Sequence, residues 1–256
     1  MKVLSIVGDR DSGKTMLIEN LIRILKKRGK VGCVKHSKSG FDIQGKDTHR
    51  FKIAGADVVF GISEKETIKI TEEKEIEKVL DELSDEGMDF VIVEGFKDSS
   101  IPKIALGDVS AKNILRRMHK PKIEEIVEII SNLDDWVTLG SIVRKLRRTP
   151  ETGGIGIFNG IVKGKKNEKE IKEIGFEDID ERRIEGIKKD LMKREGVIDV
   201  QIHHRKGPIE AGEDILYVAV SGKRREDIFS ALRDAVERIK EEFPVKYEIE
   251  NERPGN

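Results

Sequence analysis

Residues 8–15 read Gly-Asp-Arg-Asp-Ser-Gly-Lys-Thr and fill every slot of the phosphate-loop pattern G-x-x-x-x-G-K-[ST]. The flanks fit as well. An apolar run, Val3-Leu4-Ser5-Ile6-Val7, comes just before the motif, and an amphipathic stretch over residues 16–27 follows it. Strand, glycine-rich turn and helix in that order aim several backbone N–H groups and a helix N-terminus at one anion. In such a loop Gly8, Asp9, Arg10, Asp11, Ser12 and Gly13 surround the phosphates, Lys14 reaches the β- and γ-phosphates, and the Thr15 hydroxyl ligates Mg2+. A nucleoside triphosphate or diphosphate is the predicted ligand.

Outward from the loop, strand-like and helix-like segments alternate. Residues 31–35, 57–62 and 67–71 read as short strands, and residues 73–83 as a helix. Phe90-Val91-Ile92-Val93 is a continuous apolar run, expected of a central strand covered on both faces. Residues 102–106 read as the last strand and 122–130 as the last helix. This alternation predicts an α/β P-loop domain, a doubly wound sheet with its ligand at the carboxyl ends of the strands. Glu94 follows the 90–93 run directly. There a carboxylate can hold the magnesium hydration shell or orient a water, unless it is a solvated loop acid. Asp47, in a loop after the second strand, is either a further metal-directed carboxylate or a helix N-cap. Cys33 and His36 have Cys-x-x-His spacing without a second pair, so a buried strand cysteine is expected rather than a metal site. The guanine-reading Asn-Lys-x-Asp motif does not occur, and the residues alone leave GTP and ATP open.

The character of the chain changes near residue 133. Residues 141–148 read as a helix, followed by Pro150 and Gly153-Gly154. Strands are expected over 155–162, 197–204, 215–221 and 245–249, with helices over 180–195 and 223–242. Helices on one face of a mainly antiparallel sheet make the second half an α+β domain. The predicted domains are 1–132 and 133–256.

Composition limits the partners. The 256 residues carry 49 basic and 49 acidic side chains, so no global field draws the chain to nucleic acid or an anionic membrane. No apolar run approaches the roughly 18 residues of a membrane span, and no signal-peptide pattern opens the chain. With one cysteine no internal disulfide forms, and a cytoplasmic location is expected.

In order, the blocks at residues 8–15, Val34-Lys35-His36, Phe41-Asp42-Ile43, Gly45-Lys46-Asp47-Thr48-His49-Arg50, Ala54-Gly55-Ala56, Val93-Glu94-Gly95-Phe96-Lys97 and Pro102-Lys103-Ile104 resemble the molybdopterin-guanine dinucleotide biosynthesis protein B family (MobB). The resemblance covers about residues 1–132. It implies GTP as the ligand, slow hydrolysis at most, a homodimer, and service to the guanylyltransferase that attaches GMP to the pterin cofactor.

Three later blocks are similar to the large, catalytic subunit of molybdopterin synthase (MoaE): residues 154–162, His204-Arg205-Lys206-Gly207 with Gly212-Glu213, and Lys240-Glu241-Glu242-Phe243-Pro244. That family takes sulfur from the C-terminal glycine thiocarboxylate of a small carrier subunit and installs it on cyclic pyranopterin monophosphate, a pterin phosphate. The resemblance implies Lys240 as the amine that engages the carrier, Lys246 as a second lysine, and Arg205, Lys163 and Arg224 as cations for phosphate and developing charge. Three positions depart from the family. Lys163 replaces an arginine, and Ser221-Gly222-Lys223-Arg224 replaces Ser-x-His-Arg. Pro244-Val245-Lys246-Tyr247-Glu248 replaces Pro-x-Trp-Lys-x-Glu, one residue shorter and without its tryptophan. A one-residue slip turns a strand side chain to the opposite face unless a bulge absorbs it. A catalytic second domain and a non-catalytic adaptor that binds pterin or a partner therefore both remain open. The chain ends Arg-Pro-Gly-Asn rather than Gly-Gly, so a separate small subunit must supply sulfur.

Overall fold

Strand β1 (Lys2–Gly8) is buried on both faces because it lies third of five in a parallel sheet. In this computed structural model α1 (Lys14–Leu25), β2 (Val31–Lys35), α2 (Asp47–Ile53), β3 (Val58–Ile62), β4 (Thr67–Thr71), α3 (Ile76–Asp85), β5 (Phe90–Glu94), β6 (Lys103–Leu106), β7 (Ile114–Met118) and α4 (Ile123–Ser131) make up one unit, Met1–Trp136. The second unit is Val137–Asn256. Residues 38–39, 42–46, 167–168, 177–178 and 251–256, and the side chains of 169 and 247–250, lie outside the description. Parts of the Phe41-Asp42-Ile43 and Gly45-Lys46 blocks, and the Arg-Pro-Gly-Asn end, therefore also lie outside it.

The parallel sheet has the order β2-β5-β1-β6-β7. Its strands alternate with period two, as side chains on a pleat must. Leu4, Ile6, Ile92 and Ile104 face one way and are covered by Leu17, Ile18, Leu21 and Leu25 of α1 and Ile126, Val127 and Ile130 of α4. Val3, Val91 and Val93 face the other way, against Ile76 and Leu80 of α3. Helices on both faces make the sheet doubly wound, and its strand ends carry the phosphate loop.

Three expectations change. A further strand, β7, lies beyond β6 at the sheet edge. Strands β3 and β4 pair only with each other, as an antiparallel hairpin apart from the sheet. Cys33 is exposed rather than buried, because β2 is the opposite edge strand.

The second unit contains α5 (Leu139–Lys145), β8 (Gly154–Ile161), β9 (Lys165–Lys166), β10 (Lys169–Phe176), α6 (Glu181–Met192), β11 (Val197–His204), β12 (Gly207–Glu210), β13 (Asp214–Gly222), α7 (Arg225–Glu242) and β14 (Tyr247–Glu250). All its ladders are antiparallel, in two sheets ordered β11-β13-β8 and β12-β10-β14. Leu216, Val218 and Val220 of β13 pack with Ile228, Ala231, Ala235 and Ile239 of α7 and with Ile184, Ile187 and Leu191 of α6. The alternate residues Tyr217 and Ala219 pack against Ile142 and Leu146 of α5. Helices thus cover both faces of the three-stranded sheet, where one face was expected. Among the described residues no helix is long and apolar enough to cross a membrane.

Candidate functional site

Strand β1 enters the phosphate loop at Gly8, which pairs with Leu106 of β6. A Cβ on Gly8 would stand 2.6 Å from Ser12 Oγ and 3.2 Å from the Leu106 carbonyl, so any larger residue would have to push the loop or the Ser12 side chain aside. Asp11 and Gly13 have φ of 62° and 80°. Such left-handed turns are the elements of anion-binding nests. Helix α1 begins at once, with the Leu17 N–H donating to Gly13 O at 3.1 Å; the amides before it have no helical acceptor. The Lys14 ammonium lies across the loop, donating to the Asp9 carbonyl and, at 3.2 Å, to the Ser12 hydroxyl. Asp9, Arg10, Asp11 and Thr15 are exposed.

Glu94 closes β5, in register with Ile6 of β1 and Lys35 of β2. It therefore stands at the strand ends two residues short of Gly8, roughly 7 Å along the strand. Its carboxylate is half-buried, 3.3 Å from the Lys35 ammonium. Asp47 lies in the first turn of α2, exposed and 3.4 Å from Arg50. No group of three or more His, Cys, Asp or Glu that could hold a metal occurs among the described residues. Cys33 and His36 belong to no such group; although Cys33 is exposed, partial desolvation by its neighbours and the nearby Glu94 raise its thiol pKa, opposed by Lys35. One hydroxyl and one carboxylate suit Mg2+, which keeps several waters and takes its other ligands from phosphate oxygens. Thr15 and Glu94 offer such a pair beside the loop and the strand ends; Asp47, ion-paired as Glu94 is, stands on α2 instead.

In the second unit, Ile161 of β8 pairs with Asp214 of β13, and Leu216 pairs with His204 of β11. Lys163 and Arg205 therefore leave the same end of the sheet. Arg205 donates to the Asp214 carbonyl at 3.1 Å and pairs with Glu213 at 3.5 Å. Lys240, in the last turn of α7, places its ammonium 5.9 Å from the centroid of the Phe158 ring of β8. Arg224 is at the other end of that helix, as its N-cap. Sixteen residues at about 1.5 Å each separate it from Lys240 by roughly 24 Å, so it does not join this group. Lys246 is exposed, and its N–H donates to Gly175 O at 3.1 Å, which starts the β10–β14 ladder. That ladder does carry a register shift, between Ile171 and Glu173 opposite Glu250 and Ile249. The shift lies at the far end of β14 and leaves the facing of Lys246 unchanged.

His204 is not a surface ligand. It is buried against the Phe176 ring at 4.6 Å, with Nδ1 2.8 Å from the Arg205 carbonyl. Burial lowers its pKa, opposed by that hydrogen bond and by Glu181. Two groups went unrecognised in the sequence. Lys103 is fully buried in β6; its signals were a lysine inside the apolar Pro-Lys-Ile-Ala-Leu run and its place in the Pro102-Lys103-Ile104 block. Asn159, Asp214 and Tyr217 form a hydrogen-bonded set at 2.9 and 2.8 Å, and Asn159 Oδ1 is buried without a partner among the described residues.

A family model for molybdopterin guanine dinucleotide synthesis protein B matches residues 3–132, and one for the MoaE protein matches residues 133–242. A probable molybdopterin synthase of Haloferax volcanii is 28% identical over 258 residues, covering 96% of this chain and 94% of that protein. A putative molybdopterin-guanine dinucleotide biosynthesis adapter protein of Methanocaldococcus jannaschii is 38% identical over 112 residues, 41% of this chain and 47% of its own length. The molybdopterin synthase catalytic subunit of Pyrococcus abyssi is 34% identical over 105 residues, 40% of this chain and 71% of its own length.

Proposed function

The chain belongs to the molybdopterin guanine dinucleotide synthesis protein B family, with a MoaE protein domain behind it, and from that premise we propose that it joins two activities. Molybdenum cofactor biosynthesis is the process it serves. The first unit binds GTP with Mg2+ in support of guanine dinucleotide cofactor formation by a guanylyltransferase partner. The loop at residues 8–15 seats the phosphates, Lys14 neutralises them, and Thr15 and Glu94 hold the hydrated ion. The ion supplies charge neutralisation between phosphate oxygens. Any hydrolysis is weak, as the family resemblance implies.

The second unit transfers sulfur from the thiocarboxylated C-terminus of a small carrier to cyclic pyranopterin monophosphate. The observation that supports this reading is that Lys163 and Arg205 leave the same end of the sheet, with Lys240 on the face of Phe158 of β8. Arg205 is fixed by Asp214 and Glu213 and offers the anionic substrate a fork of donors. Lys240 rests on the face of Phe158, within reach of a carrier tail entering beside β8. A homodimer in the cytoplasm is the form in which we expect both activities.

The test is reconstitution. The purified chain, competent thiocarboxylated carrier and cyclic pyranopterin monophosphate should yield molybdopterin, and no product would refute the second activity. A second reading, a nucleotide-dependent adaptor that binds pterin or a partner without turnover, is favoured by one observation: Arg224 stands far from Lys240. Under that reading the same mixture shows binding and no product.

A further inference from the structure

Lys103 has no side-chain exposure, yet among the described residues its amine makes no salt bridge, and the Asp98 carboxylate acts on it only from a distance. Its ammonium donates to Ser99 O at 2.6 Å, Ile101 O at 2.7 Å and Ser99 Oγ at 3.2 Å. Burying a cation on neutral acceptors is costly. Such a group is explained by what it holds.

It holds the segment that follows Glu94. Ser5, the in-register neighbour of Lys103 on β1 and equally buried, donates to Gly95 O at 2.7 Å. Between these anchors nearly every carbonyl is engaged. Phe96 O accepts from Ser99 Oγ at 3.0 Å, Lys97 O from the Lys112 N–H at 2.8 Å, and Ser100 O from Asn113 Nδ2 at 2.6 Å. Phe96 itself is held at a left-handed φ of 55°, which a non-glycine residue adopts only under constraint. The side chain this frame presents to the phosphate loop is Lys97, whose ammonium lies 3.9 Å from the Asp9 carboxylate. Asp9 is also the residue whose carbonyl takes the Lys14 amine. Two cations therefore converge on one end of the loop.

We propose that Lys97 is a second phosphate-binding cation beside Lys14, and that Lys103, with Ser5, is the positioning residue that holds it there. On binding, the Lys97 ammonium exchanges its Asp9 partner for a phosphate oxygen. The inference rests on the nucleotide reading of the first unit and assigns that site a second charge.

The test is calorimetric titration of the intact chain with GTP and Mg2+. Lys97→Ala is expected to weaken binding about tenfold or more, the loss of one charge-assisted hydrogen bond. Lys103→Met should weaken it by a similar factor at a temperature where the variant is still folded by circular dichroism, and the double variant should bind no worse than the weaker single one. Wild-type affinity in Lys97→Ala, or losses that multiply in the double variant, would overturn the proposal. A merely structural lysine would damage the Lys97→Ala protein further. Should Lys103→Met fail to fold, Ser5→Ala takes its place in the same cycle with the same two outcomes. Lys14→Ala separates the readings. If it binds like wild type, the nucleotide reading falls and this inference with it. If it loses binding while Lys97→Ala keeps it, only this inference falls.

Discussion

Replacing Lys240 with alanine separates catalysis from architecture, because the structure limits what its removal can cost the fold. The side chain is exposed in the last turn of α7, and among the described residues its ammonium meets the face of Phe158, at 5.9 Å. A cation at a helix C-terminus contributes about 0.3–1 kcal/mol, and an exposed cation–π contact about 0.5–1 kcal/mol. Together they stay near or below about 2 kcal/mol, well under the ~5–15 kcal/mol of a typical domain. Lys240→Ala should therefore fold. A positioned amine that takes part in the reaction is worth about 10²–10⁴ in rate. We expect initial rates of molybdopterin formation, at saturating thiocarboxylated carrier and pterin phosphate, to fall by that factor with the circular dichroism unchanged. A folded variant within threefold of wild type would refute the assignment of Lys240.

Three other outcomes follow from the geometry. Lys14→Ala should cost at least tenfold in GTP affinity, about one charge-assisted hydrogen bond, and equilibrium dialysis with labelled nucleotide checks it. His204 has a folded pKa below its unfolded value, so the unfolded chain binds the extra proton. Its contribution is present in full above about pH 6.5 and is lost as pH falls from there towards the lowered folded value. Calorimetric melts should show the second unit destabilised on acidification through that window, with a shallower slope in His204→Gln. Thr138 caps α5 in a reciprocal pair with Ser141, at 3.1 and 3.0 Å. Thr138→Ala should lower the unfolding free energy by about 1 kcal/mol, and Thr138→Ser should restore it.

The sequence was most legible where local signals agree with tertiary demands. The run before Gly8, the turn and the helix after it specify one local structure, and β5 shows as an unbroken apolar run because it is covered on both faces. Strand β7 was illegible for the opposite reason. As an edge strand it needs one apolar face at most, and Leu115, Arg116 and Arg117 are all exposed. Strand β10 hid behind its own irregularity. The register shift near Lys172 puts the buried residues at Ile171, Ile174 and Phe176, a spacing of three then two that matches neither helix nor strand. Cys33 was misplaced because position in a sheet, centre or edge, is not written in five residues. At the sites, the motif pointed to Lys14 and the end of the 90–93 run to Glu94, but whether Arg224 and Lys240 share an end of α7 is a matter of helix length. Lys103 reads as a surface lysine until its two carbonyl acceptors and one hydroxyl acceptor are seen.

Amide hydrogen exchange of the intact chain, with and without GTP and Mg2+, tests the account where it begins. If the backbone at residues 8–17 cradles the phosphates, exchange there should slow markedly when nucleotide is present, and Lys14→Ala should abolish the slowing. Unchanged exchange over that stretch at millimolar nucleotide would mean that those amides meet no anion, and the proposed nucleotide site would be wrong.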